Sequence, residues 1–165
     1  MAFPITYATY SASTGLVTTS AGLATTFTGL VLTNPINSPV QLQLTSVTIL
    51  PVVAQTAALQ VWLSLGFNGT TAVTQTTPIT PASNLVLGPQ QPGKGLAASA
   101  ATLPTAPILG PLITELETGA ITTVPVAGIV YPVNIVISPG GYVATYTSAA
   151  SVASSLAFSF TWQEG

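Results

Sequence analysis

Four side chains carry all the formal charge of this chain: Lys94, Glu115, Glu117 and Glu164. Glu115 and Glu117 are two residues apart, so a strand places both carboxylates on one face. Paired carboxylates hydrolyse glycosides when they flank the scissile bond, and they hold hard cations when enough oxygens converge. Neighbours on one strand flank nothing, and Ca²⁺ takes about 6–8 oxygens. The pair therefore reads as a solvated acidic edge, with a cation at a subunit seam as its other use. Gly93-Lys94-Gly95 has the outline of a phosphate-cradling loop, but Gly95 stands where that loop needs Ser or Thr. It reads as an exposed turn whose lysine is solvated or meets a partner. A Ser-Lys dyad would also need Lys94, yet no spacing singles out a serine.

The residue types that are missing narrow the function further. The chain contains no His, Cys, Asp or Arg, and general acid/base work, nucleophile activation and metal ligation draw on those side chains. The expectation is a structural or interaction protein, not an enzyme, with no cofactor and no metal. One lysine cannot neutralise enough phosphates to hold a nucleic acid. Although 48% of residues are hydrophobic and only 2% charged, no run approaches the roughly 18–20 apolar residues of a spanning helix. The opening MAFPITYATY lacks the basic and apolar regions of a secretory signal. What remains for the surface is Thr, Ser, Gln, Asn, Pro and Gly, which suits burial against neighbouring protein.

The elements that must position these residues are strands. Fourteen Gly and fourteen Pro punctuate the chain, leaving little room for long helices. From Leu59 to Phe67, Leu59, Val61, Leu63, Leu65 and Phe67 alternate with Gln60, Trp62, Ser64 and Gly66, the period of a half-buried strand. Asn68-Gly69 then predicts a hairpin returning through residues 70–76; the same residues form a glycosylation sequon, for which the turn is the preferred explanation. Val40, Leu42 and Leu44 alternate until Thr45-Ser46, where the phase slips before Val47 and Ile49, predicting a β-bulge or bend. Val133, Ile135 and Ile137 followed by Ser138-Pro139-Gly140-Gly141 predict a second hairpin. Leu156, Phe158, Phe160 and Trp162 give a final strand with an aromatic core face. Residues 88–112 are rich in Pro, Gly and Ala and read as a long excursion, with at most a helical turn near 112–118. Roughly eight strands predict one all-β domain over 1–165, a β-sandwich with jelly-roll topology favoured, an N-terminal arm at 1–12 and a loop or arm at 88–112.

Tyr7, Tyr10, Trp62, Tyr142 and Tyr146 offer aromatic surface for a sugar or a subunit contact, with Trp62 on the polar face of its strand. Packing against a second sheet or a neighbouring subunit is the favoured use.

The stretch ASAATLPTAPILGPL from Ala98 to Leu112, the run from Ser138 through Gly140-Gly141-Tyr142 to Ser148, and the ending Phe158-Ser-Phe-Thr-Trp-Gln-Glu resemble small structural proteins of tailed bacteriophages, in particular capsid-decorating or cement proteins. Asn34-Pro35 followed by Val40 to Leu44 and Val47 fits the same pattern. That resemblance implies a β-sandwich, often a jelly roll, forming a small homo-oligomer (trimer or dimer) on the outer capsid surface of the virion and clamping subunits of the major capsid protein. It brings no catalytic residues, nucleic acid or membrane. The alternative is a tail or head-fibre component, with host glycans bound through Trp62 and nearby tyrosines. The candidate interface residues are Phe3, Ile5, Tyr7, Tyr10, Trp62, Lys94, Leu103, Ile108, Tyr142 and Tyr146.

Overall fold

A computed structural model describes residues 8–67, 69–84, 92–118 and 128–165. Among them the chain forms eleven strands: β1 (Ala8–Ser13), β2 (Thr26–Thr33), β3 (Leu42–Pro51), β4 (Leu59–Phe67), β5 (Thr74–Ile79), β6 (Ala82–Ser83), β7 (Leu96–Thr102), β8 (Ile108–Leu116), β9 (Ile129–Ile137), β10 (Gly141–Thr147) and β11 (Leu156–Glu164). No helix among the described residues is long and apolar enough to cross a membrane. The strands build two antiparallel sheets packed as a sandwich, a front sheet ordered β6-β1-β11-β3-β9 and a back sheet ordered β5-β7-β2-β10-β4-β8.

Four pairings share a rule. β1 pairs with β11, β2 with β10, β3 with β9 and β4 with β8, so the first half of the chain is laid against the second half running backwards. Successive pairs fall in opposite sheets, and β11–β3 and β10–β4 contacts join alternate turns of this ribbon. β5, β6 and β7 are inserted between β4 and β8 and widen the sheets at the far edges.

The alternation in sequence sorts residues between two hydrophobic clusters. Leu30, Leu32, Leu42, Leu44, Val47, Ile49, Leu59, Val61, Leu63, Val143 and the Leu156-Phe158-Phe160-Trp162 face of β11 fill the space between the sheets. Each such side chain, fully buried, contributes about 1.5–3 kcal/mol relative to exposure. Their strand neighbours Val31, Ala98, Tyr142 and Ala144 point the other way and, with Ala101 and Leu103, form a second cluster against Phe27 and Val73. The back sheet is thus covered on both faces where the chain crosses it between β4 and β5.

The bulge predicted at Thr45-Ser46 is present. Leu44 faces Trp162 and Ser46 faces Thr161, leaving Thr45 unpaired in that ladder, and its hydroxyl donates to the Thr161 carbonyl at 3.0 Å. A second bulge lies at Gly29-Leu30, where Gly29 takes a φ of 148° and the Leu30 N–H donates to Thr145 Oγ1. A glycine inside a strand pattern is the sequence mark of such a site.

Both hairpins are corrected. After β4 the chain does not return beside it; β5 pairs with β7 at the far edge of the back sheet, and Asn68 lies outside the described residues. At Ser138–Gly141 the predicted turn forms, with the Gly141 N–H on the Ser138 carbonyl and Gly140 at a φ of 84°, but it carries the chain from β9 in the front sheet to β10 in the back sheet. The excursion at 88–112 is also corrected: it contains β7, three strands from β4 in the back sheet, and the start of β8, which replaces the expected helical turn. Of the arm at 1–12, residues 8–12 belong to β1, between β11 and β6.

Candidate functional site

Prolines fix which strands can be edges, because proline donates nothing to a ladder. Pro78, Pro111 and Pro132 lie within β5, β8 and β9, and all three strands are edges. β8 and β9 bound the same side of the sandwich. Ile108 of β8 and Ile135 and Val136 of β9 line one cavity of about 490 Å³, with Leu65, Phe67, Tyr142 and Val143 behind them. Of the eleven exposed large hydrophobic residues among those described, Phe67, Ile108 of β8 and Val136 of β9 line this cavity, while Leu109 and Leu112 of β8 and Ile129 and Val130 of β9 lie elsewhere on the same two edge strands. Phe67 is 66% and Ile108 68% exposed. Exposed apolar residues grouped at a cavity make a candidate interaction surface, whereas singly scattered ones would not. Pro111 and Pro132 interrupt both edges, so a partner strand cannot extend either sheet by a continuous ladder.

Of the residues expected at an interface, Phe3, Ile5 and Tyr7 lie outside the described residues. Three others are corrected, because the fold has already buried them. Tyr10 is 3% exposed and stacks on Trp162 with ring centroids 6.0 Å apart. Leu103 and Tyr142 sit in the outer cluster of the back sheet, the Tyr142 hydroxyl donating to the Thr105 carbonyl at 2.8 Å. Ile108 lies on the cavity. Trp62 and Tyr146 are half-buried neighbours, directly opposite each other across the β4–β10 ladder. The cavity itself was not foreseen; its signal in the sequence was Pro111 and Pro132 inside the apolar strands β8 and β9.

Lys94 is exposed, and its loop proves to be occupied by the chain's own carboxylate. The backbone N–H groups of Lys94 and Gly95 donate to Glu164 at 2.8–2.9 Å, and Trp162 Nε1 donates to the same group at 3.1 Å. Gly88 does stand at the spacing of the first glycine of a phosphate loop. The loop nevertheless leads into strand β7, not into a helix whose N-terminus would face the phosphate. Glu115 lies on exposed edge strand β8 with Glu117 just beyond, and no third acidic, His or Cys side chain joins them among the described residues.

Burial and the nearby Glu164 charge raise the Tyr10 phenol above 10.0, and burial raises that of Tyr142. A raised folded-state value favours the protonated fold, so this stability is complete below the unfolded value and is lost as pH rises through the folded ones. Urea midpoints are therefore expected to fall above about pH 10, and Tyr142→Phe is expected to reduce the slope of that fall.

Compared with protein families, curated proteins and solved structures, the chain matches none.

Proposed function

We propose that this chain is a non-enzymatic virion structural protein, decorating and cementing the outer surface of a phage capsid by bridging subunits of the major capsid protein, and associating with itself as a small homo-oligomer. The observation that supports this most is the β8/β9 side, where exposed apolar residues border a cavity of about 490 Å³. Burying such a surface against protein releases it from water. Strand order supports the jelly-roll reading: without the β5–β7 insertion, the sheets run β1-β11-β3-β9 and β2-β10-β4-β8, a folded ribbon wound into two Greek keys.

The test is the copy ratio of this chain to the major shell protein in purified particles, measured by quantitative mass spectrometry. Lattice stoichiometry supports shell decoration. A few copies per particle would move the chain to the tail or fibre, and absence from particles would end the virion reading. Four formal charges in 165 residues also predict attachment that is insensitive to salt. Raising salt to about 1 M, where the Debye length falls to about 3 Å, is expected to leave the complex intact by sedimentation, and wholesale release would contradict an apolar interface.

A further inference from the structure

On the outward face of the back sheet, three strands bring together side chains that are far apart in sequence. Tyr146 of β10, Trp62 of β4 and Leu112 of β8 stand in one cross-strand row, the spacing at which aromatic side chains form a shared surface. Their outward direction follows from alternation, since Val61 and Leu63 on either side of Trp62 fill the core. The next row holds Ser148, Gln60 and Glu115: Gln60 pairs with Glu115, and the Gln60 N–H donates to Ser148 Oγ. Trp62 Nε1 donates to Gln60 Oε1 at 3.4 Å, which holds the amide beside the indole. Gln60 Nε2, Tyr146 Oη and the Glu115 carboxylate have no hydrogen-bond partner among the described residues.

We infer that this Tyr146-Trp62-Leu112 row, with Gln60 and Glu115 beside it, is a binding site for a neutral carbohydrate chain. A pyranose ring presents an apolar face of C–H groups, polarised positive, which complements the negative face of an aromatic ring. Its rim of hydroxyls supplies donors for the carboxylate and acceptors for the amide and phenol. A protein covering the same patch would bury Glu115, and a buried carboxylate without donors is costly. An anionic sugar would meet that carboxylate as a like charge. The chemistry selects a neutral ligand rich in hydroxyls. This inference goes beyond the capsid role and stands or falls independently of it.

The two tryptophans make the test direct. Trp162 is fully buried and Trp62 is not, so acrylamide quenching of tryptophan emission reports on Trp62. The probes are cello-, malto- and N-acetylglucosamine oligosaccharides, with sialyllactose as the anionic comparison. At least one neutral oligosaccharide is expected to protect Trp62 saturably, and sialyllactose is not. By calorimetry on the intact protein, Gln60→Ala and Trp62→Phe are expected to weaken binding several-fold and Trp62→Ala about tenfold or more, the loss typical of an aromatic anchor. Thermal melts establish that each variant is folded, and Gln60→Ala provides a test that leaves the rings in place. Phe67→Ser, on the β8/β9 side, is expected to alter assembly without altering sugar affinity, which separates failure of this site from failure of the capsid role. No protection by any neutral oligosaccharide up to about 10 mM, beyond the 1 mM affinity range, would overturn the inference. So would an oligomer that dissociates on Trp62→Ala while showing no sugar response, which would make the platform a contact between copies of this chain.

Discussion

Trp162→Ala is expected to remove about 3–5 kcal/mol of stability, a large share of the roughly 5–15 kcal/mol that holds a domain together. Trp162 is 0% exposed on β11, which lies between β1 and β3. It stacks on Tyr10, faces Leu44 beside the bulge and donates to Glu164. Alanine would open a cavity where three strands meet, and the surrounding β-ladders limit how far the walls can close. The check is a urea titration, with a large fall in midpoint and an unchanged slope. Trp62→Ala on the outward face of β4 is the comparison and is expected to cost much less. Equal costs for the two would contradict the placement of β11 at the centre of the front sheet.

Gly66→Ala is expected to destabilise the fold by about 2–3 kcal/mol, the upper range for overpacking. A β-carbon at position 66 would overlap Cζ and Oη of Tyr142 in the neighbouring strand. The ring cannot easily retreat, because its hydroxyl is bonded to the Thr105 carbonyl and its body is packed with Val31, Ala98 and Ala144. Tyr142→Leu shortens the side chain and removes the clash while leaving a partial void. In that background the added cost of Gly66→Ala is expected to fall by at least about 1 kcal/mol, a coupling within the range for contacting residues. Independent costs in the double variant would show that the ring does not lie over position 66.

The strands that alternate cleanly were legible in the sequence because alternation reports directly which side chains meet the core. β11, β4 and the bulge of β3 all follow from it. Turn chemistry was less informative. Ser138–Gly141 does reverse the chain, but a tight turn does not determine which sheet receives the next strand, and here it is the opposite one. β7 escaped notice for a different reason. Its Leu96-Ala-Ala-Ser-Ala-Ala-Thr102 run has weak strand preference, and it becomes a strand because small side chains fit where Val31 and Tyr142 already fill the space. Of the candidate interface residues, Tyr10 and Tyr142 carry hydroxyls that made them plausible at a surface, yet each lies against large partners in a hydrophobic cluster. Ile108 was among the candidates, but the rest of the side that now carries the functional proposal was hidden because the exposure of Phe67 or Val136 depends on which strands become edges, a property of topology and not of local pattern.

The pairing of first strand with last also sets the order of events during synthesis. Tyr10 cannot find Trp162, nor Ser13 find Ser159, until β11 has left the ribosome, so the β1–β11 pairing waits until the strands between them have been translated. Each such pairing closes a long loop before its contacts repay the entropy, which makes folding slow relative to proteins built from local contacts. While it waits, β2 and β3 expose the strands that later form the core, and unpaired apolar strands are prone to aggregation. The β8/β9 side is therefore completed late: among the described strands β9 pairs only with β3, and β3 in turn pairs with β11.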